Sequence, residues 1–493
     1  MSEAGTWLEH ARRLVRTARG ELDADRALMR AMEGFVQLAA SRYALDAGAR
    51  WKPGEPLRLL FAGYSGSRNT GADVRVEEML RQFRHLLGDE LAELSILTIE
   101  PERTRGYFRT VRQIRLPRVF PKFLYDTVHA HHGVVACEGS MFKSKFANAL
   151  STMMVGALGL ALAERKPAIG YGGEAGAMDP ALEALVRRCC RGALVLARNE
   201  ASRALLERLG IEAHAGTDTA WTFEPAPASV GRALLRRAGW DETSPVLVVA
   251  PIDPFCWPVR PDLVRGLLVA LGAPAPASHY DSIYFHADSP ERRAAFRRYV
   301  EALASAVRRF RARRTCFVVC VGMEMLDRRP AEALAEALGG APVFVSDELD
   351  MYEMVSLLRC ARWLLASRYH AIVTSMPGLV PSAGVTMDER IANLMDDRGE
   401  PQLALRVDDP DLADRAYEAL ETLEREADRV RASIRRCVVR NLERMGQMGR
   451  IAVDYLRARL PELPVRAELG GSGDPWRHLP PLSPALESLV EAV

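Results

Sequence analysis

Short apolar runs alternate with amphipathic helical patterns along most of the chain, and they do so in two series. Leu57–Tyr64, Leu94–Ile99, Gly133–Glu138, Ala168–Tyr171 and Leu194–Arg198 make the first. After a proline-bearing stretch at 225–245, Val246–Pro251, Ser282–Phe285, Thr315–Val321, Val343–Val345, Arg362–Ser367 and Pro381–Val385 make the second. Continuous apolar strands need cover on both faces, and a parallel sheet wrapped by helices supplies it. The alternation therefore predicts an α/β protein with two Rossmann-like parallel-sheet domains facing across a cleft. Helical extensions are expected at both ends. The expected divisions are 1–56 (helical extension and linker), 57–235 and 236–409 (the two domains), 410–469 (helices) and 470–493 (a flexible tail after Gly470–Pro475).

Other chain-wide features narrow the class of function. The 493 residues carry a net charge of +2, which argues against a dedicated nucleic-acid binder. Only five of the 66 basic residues are lysines, none after Lys166. Any anion held by the C-terminal two thirds is therefore held by arginine, histidine or backbone amides. Eight cysteines without a C-x-x-C pair read as buried, reduced thiols. The first residues have no apolar signal core, and Leu150–Ala163 is too short to span a bilayer, so it reads as a buried helix. Trp7, Ala11, Leu14, Val15 and Ala18 fall on one helical face, which suits docking on the protein's own body or peripheral contact with a membrane surface. A cytoplasmic protein is expected, compatible with work at the inner face of the membrane.

The chemistry-bearing residues gather where strands hand over to helices, the edge at which open parallel sheets bind ligands. Gly63, Gly66 and Gly71 let backbone pass close to a ligand, and Asn69 and Asp73 are caps or ligand contacts. The loop is neither a G-x-G-x-x-G nor a Walker loop. Glu138, Gly139 and Ser140 follow one strand, Glu174 another, and Arg198 ends a third. Asp218 adds a carboxylate near the end of the first domain. In Ser367-Arg-Tyr-His-Ala371, Arg368 and His370 share a face if the strand runs on to 370, with Ser367 and Tyr369 beside them and a helix from about Ala371. The His129, His131 and His132 cluster lacks a carboxylate at metal-site spacing, so no metal is expected there. Phe255 and Trp257 either stack on a sugar ring or plug a core.

In this order the pieces resemble the polysaccharide pyruvyl transferase family, over residues 57–400. That family has a Gly-Tyr-x-Gly-x-x-Asn-x-Gly-Asp-Asp/Glu start, a glycine-rich strand end, Arg-Asp-x-x-Ser, Asp-x-Ala, Ser-Arg-Leu-His-Ala, Gly-Val-Pro and Tyr-Asp-x-Lys. Here these stand as Gly63–Asp73, Glu138-Gly-Ser140, Arg198-Asn-Glu-Ala-Ser202, Asp218-Thr-Ala220, Ser367-Arg-Tyr-His-Ala371, Gly378-Leu-Val-Pro381 and Met387-Asp-Glu-Arg390. Ala72, Asn199, Tyr369, Glu138, Met387 and Arg390 depart from the pattern.

The resemblance implies transfer of a pyruvyl group from phosphoenolpyruvate to a sugar, glycan or lipid-linked saccharide, with no cofactor and no metal. Arg198 and Arg368 then hold the donor's carboxylate and phosphate. His370 moves the proton, and Glu138, Glu174 or Asp218 faces the developing positive charge. Residues 100–130 and 253–281 are the expected acceptor loops. Two rivals stand beside this reading. One is a GT-B-like nucleotide-sugar glycosyltransferase, weakened by the lack of a Glu-x7-Glu segment after His370. The other is a non-catalytic sugar or phosphate binder.

Overall fold

The computed structural model describes residues 23–45, 50–104, 106–466, 469 and 473–492. The face formed by Trp7 to Ala18, and Gly470 to Ser472, lie outside the described residues.

Seven parallel strands build the first sheet: β1 (Leu57–Ala62), β2 (Ala92–Thr98), β3 (Arg112–Arg115), β4 (Gly133–Ala136), β5 (Ala168–Gly173), β6 (Leu194–Ala197) and β7 (Ala213–Ala215). Their order is β3-β2-β1-β4-β5-β6-β7. The second sheet begins with β8 (Val246–Ala250). An insertion follows, a small antiparallel sheet of β9 (Arg260–Pro261), β10 (His279–Asp281) and β11 (Tyr284–Phe285). The main sheet resumes with β12 (Phe317–Gly322), β13 (Val343–Val345), β14 (Trp363–Ala366), β15 (Ser382–Thr386) and β16 (Ala404–Arg406). Its order is β13-β12-β8-β14-β15-β16, again all parallel.

The central strands β4 and β8 are buried at every position, as two-sided cover demands. In both sheets the strand order reverses beside the first strand, between β1 and β4 and between β8 and β14. Those switch points open at the carboxyl ends of the strands, and each faces the other domain.

Three short edge strands, β3, β7 and β16, have no counterpart among the expected runs, being three or four residues long and partly exposed. Ser282–Phe285 does not join the main sheet. It pairs as β11 inside the insertion, where Tyr284 and Phe285 meet β9 rather than a long neighbour. The strand expected to reach position 370 stops at Ala366. A helix, Tyr369–Ser375, begins at once with Arg368 in its N-cap position. Arg368 and His370 therefore do not share a strand face.

The extensions pack onto the domains. The helix Ala24–Leu45 lies on the buried helix Asn148–Ala163, where Gly156 leaves room for Met32; a Cβ there would stand 2.4 Å from Met32 Cγ. Helix Leu412–Arg425 lies on helix Pro290–Arg313 of the second domain, with Arg309 paired to Asp414 at 2.6 Å. Helix Ala427–Arg459 then crosses back to the first domain. There the Tyr455 hydroxyl accepts from the Ala168 amide (3.2 Å), and Gln82 Nε2 donates to the Met445 carbonyl (2.9 Å). Residues 475–491, expected to be a flexible tail, are docked as well: Leu486 and Leu489 are buried, and the His478 carbonyl accepts from Gln82.

That docking predicts a stability effect. A Cβ at Gly446 would stand 2.1 Å from the Pro475 carbonyl oxygen, a backbone atom with little freedom to move. Gly446→Val is expected to lower stability by about 1–3 kcal/mol, read as a shift in the urea midpoint. An unchanged midpoint would show that residues 475–491 are not held as described.

Candidate functional site

The loop after β1 is folded onto the helix that follows it. Asn69 Oδ1 caps Thr70–Leu87 by accepting from the Ala72 amide (3.2 Å), and Gly66, at φ +83°, donates its N–H to Asp73 Oδ1 (3.2 Å). Burial pushes the Asp73 carboxyl up to about 7. At Gly71 a Cβ would fall 2.3 Å from His370 Nδ1. The missing side chain lets the histidine of the second domain lie directly on this helix. The Thr70 amide donates to the Met323 carbonyl (2.9 Å), and Ser346 Oγ donates to the Arg68 carbonyl (2.6 Å), so the glycine-rich loop is itself a domain–domain contact.

His370 Nε2 lies 3.2 Å from Asp218 Oδ2, and the same oxygen is 2.9 Å from Arg198 Nη2 and 3.5 Å from Arg75 Nε. Asp218 is fully buried. Burial opposes its ionisation, but Arg198, His370 and Arg75 outweigh that and hold it well below the usual carboxylate range. Burial lowers the His370 imidazole, Asp218 works against that, and Arg198 and Arg75 reinforce it. The result is a neutral histidine beside an ionised carboxylate, the pairing that orients a general acid–base.

Arg198 also connects to the glycine-rich segments. A Cβ at Gly139 would stand 2.1 Å from its Nη2, Glu174 Oε2 lies 3.5 Å from its Nη1, and its guanidinium lies 4.9 Å from the centre of the Tyr369 ring. Gly63 is glycine for a different reason, since a Cβ would meet Cys137 Sγ at 2.6 Å. Glu138 Oε1 accepts from the buried Ser140 amide at 3.4 Å, while its Oε2 is buried with no hydrogen-bond partner. Ser367 serves the fold: its hydroxyl is 2.6 Å from that of Tyr299 and its amide donates to the Ala250 carbonyl.

Arg368 differs from its expected role. It does not share a cavity with Arg198, and its guanidinium is already engaged: Nε donates to Asp327 Oδ2 (2.7 Å) and Nη2 to Glu324 Oε2 (2.8 Å). Two cavities result. The smaller, about 290 Å³, lies at the ends of β5 to β7 and is lined by Glu174, Arg198, Asn199, Tyr369, Arg390 and Arg444. The larger, about 560 Å³, lies in the second domain and includes Asp253, Phe255, Trp257, His286, Arg329 and Arg368. The glycine-rich loop, Glu138 and His370 line neither cavity; the loop and His370 meet at the contact between the domains.

Four residues of this site were not among the expected ones. Arg75 is fully buried and donates to the carbonyls of Cys137 (2.6 Å) and Gly172 (2.8 Å), joining the ends of β4 and β5. Its signal in the sequence is slight, an arginine between Val74 and Val76 in a segment that also carries Glu77 and Glu78. Buried Lys143 reaches Glu174 (3.5 Å) and Glu389 (2.9 Å). Glu324 and Asp327 follow β12 at its switch-point end and have no motif to reveal them.

Arg368→Ala leaves Asp327 and Glu324 buried without their cation. It is expected to cost about 3–5 kcal/mol in urea unfolding, and a loss under about 1 kcal/mol would mean that the pair carries no net stability. A second expectation concerns pH. The unfolded chain takes up a histidine proton near 6.5, whereas folded His370 does so lower, so acidification through that range favours unfolding. Buried Asp73 and Asp327, raised to about 7 and about 6, act in the opposite sense. The test is therefore a difference: His370→Gln loses less stability than the parent as pH falls from about 7 to about 5. Parallel profiles would contradict the depressed imidazole.

No protein-family model and no curated protein matches the chain. Solved structures match it in fold. A putative UDP-N-acetylglucosamine 2-epimerase from Listeria monocytogenes is 9% identical, covering 83% of this chain and 98% of that one, with a TM-score of 0.50. The S. aureus MnaA–UDP structure is 11% identical, covering 83% and 98%, with a TM-score of 0.50. A glycosyltransferase from Rickettsia africae is 11% identical, covering 82% and 99%, at 0.49. With its two parallel sheets facing across a cleft, the chain has the GT-B-type fold.

Proposed function

We propose that the chain is a transferase of the polysaccharide pyruvyl transferase type, moving a pyruvyl group from phosphoenolpyruvate to a sugar, glycan or lipid-linked saccharide at the domain interface. One observation carries this reading. Arg198, Asp218 and His370 come from three separate motifs of the family resemblance and from both domains, and they meet in one buried cluster. In the reaction, the methylene carbon of the donor takes a proton and one acceptor hydroxyl adds to the central carbon. Phosphate leaves, and a second hydroxyl closes the ketal; of the two hydroxyl protons, one balances the new methyl group and one the departing phosphate. His370, neutral when the site is empty, gains its proton once an anionic donor offsets Arg198 and Arg75. Arg198 and Arg390 line the smaller cavity and supply cations for the donor's carboxylate and phosphate there, and Arg198 links that cavity through Asp218 to His370. Arg368, paired within its own domain, holds the wall of the second-domain cavity instead.

A second reading is transfer from a nucleotide sugar. The GT-B fold is shared with a protein solved with UDP, and the larger cavity presents arginines beside Phe255 and Trp257.

Thermal shift of the intact chain separates the two. Phosphoenolpyruvate at about 100 times its Kd is expected to stabilise by about 2.7 kcal/mol, and Arg198→Lys should remove most of that shift. His370→Gln should keep donor binding within a few-fold and lose roughly 10²–10⁴ in turnover. Stabilisation by UDP or GDP and none by phosphoenolpyruvate would overturn pyruvyl transfer in favour of the second reading.

A further inference from the structure

The insertion that follows β8 carries a helix turned inside out. In Leu263–Ala270 and the residue after it, Leu263, Val264, Leu267, Leu268 and Leu271 are 43%, 53%, 60%, 52% and 75% exposed. At 100° per residue they share one arc of about 140°. The opposite side is the one that packs: a Cβ at Gly266 would stand 2.7 Å from Ile283 Cγ2. A surface helix ordinarily points such an arc at the core, so this one is shaped for a partner outside the chain.

The charge around the arc says which kind. From Leu263 to Tyr280 the one charged residue is Arg265, whose guanidinium lies over the Phe285 ring and whose Nε is 4.0 Å from Oδ2 of Asp262 at the helix N-cap. Exposed Arg260 precedes the helix and makes no side-chain ion pair among the described residues. Val119, 82% exposed, adjoins the insertion through Arg118, which pairs with Asp281 at 3.0 Å. The arc itself carries no carboxylate, and its border, Arg118, Arg260 and Arg265 against Asp262 and Asp281, is left net positive, which complements an anionic lipid surface whose headgroups attract the arginines while the leucines enter the acyl boundary. Among the described residues no helix is long and apolar enough to cross a membrane, so the contact is one of docking.

We propose that Leu263–Leu271 is a docking element for an anionic phospholipid bilayer. Its position gives the docking a consequence. The same insertion carries Tyr280, whose hydroxyl is 2.7 Å from that of Tyr64 in the glycine-rich loop, and Trp257, at the mouth of the larger cavity, packs on Phe146 of the first domain. Docking brings the domain interface to the lipid surface. The inference does not depend on which group is transferred.

The test is flotation of the full chain with phosphatidylcholine vesicles, with and without phosphatidylglycerol. The parent is expected to float with the anionic vesicles and to be released by salt. The Leu267→Asp, Leu271→Asp pair should lose binding by at least about tenfold while keeping the parent's thermal midpoint, since both side chains are exposed. As an independent reading, Leu268→Trp should show a blue-shifted emission on the same vesicles. Three results would overturn the proposal: no vesicle binding, binding retained by the double variant, or a parent that is a dimer without lipid and becomes monomeric through those two substitutions. The last would assign the arc to a second copy of the chain.

Discussion

Asp218 is a fully buried carboxylate that faces two guanidiniums and an imidazole. An uncompensated charge in such a place is costly, so each partner is required by the others. Arg75 ties it to the carbonyl ends of β4 and β5, Arg198 to the end of β6, and His370 to the second domain. One carboxylate thus sets how the ends of the first sheet lie and which face of the second domain meets them. A network of this kind is held by its partners jointly, and the loss of one exposes the rest to an uncompensated charge.

Several residues that depart from the pattern of the resembled family have their reason in their neighbours. Asn199 caps Glu200–Arg208 by accepting from the Ser202 amide, as an aspartate can, but its Nδ2 also donates to buried Glu174 at 3.1 Å. An aspartate in that place would repel Glu174, so Asn199 and Glu174 belong together. Arg390 sits where the family has lysine. Its Nε donates to both Asp388 oxygens (3.0 and 2.8 Å), and its guanidinium lies over the Phe146 ring at 4.8 Å. Tyr369, in place of leucine, puts an aromatic face beneath Arg198. For Ala72, a small apolar residue in the first buried turn of its helix, only Asp73 remains as a carboxylate of the loop.

The glycines at the interface act by removing bulk. Gly71 and Gly139 lie against His370 and Arg198 so closely that any side chain would displace the group it touches. At Gly66 the backbone adds a second constraint: φ +83° with an amide aimed at Asp73 is a conformation most residues avoid, and a Cβ would also stand 2.4 Å from Thr98 Cγ2. The glycines therefore read the same in sequence for unlike physical reasons, contact alone at Gly71 and conformation together with contact at Gly66.

The sequence alone determined the two parallel-sheet domains, because strands buried on both faces have to be continuously apolar and the helices between them amphipathic. It also put Arg198 at a strand end and His370 at a handover from strand to helix, where ligands bind in such sheets. The strands it did not reveal, such as Ala213–Ala215 and Ala404–Arg406, are short edges with little apolar pattern to read. Partnership was decided only by the tertiary structure. Arg368 and His370, two residues apart, go to Asp327 and to Asp218 because the helix starts at Tyr369 and turns them apart. Arg75 and Lys143 are ordinary basic residues in the sequence and acquire their meaning from carboxylates and carbonyls brought to them by distant segments. Ion pairs of that kind follow from where chain segments cross, and local pattern carries no record of the crossing.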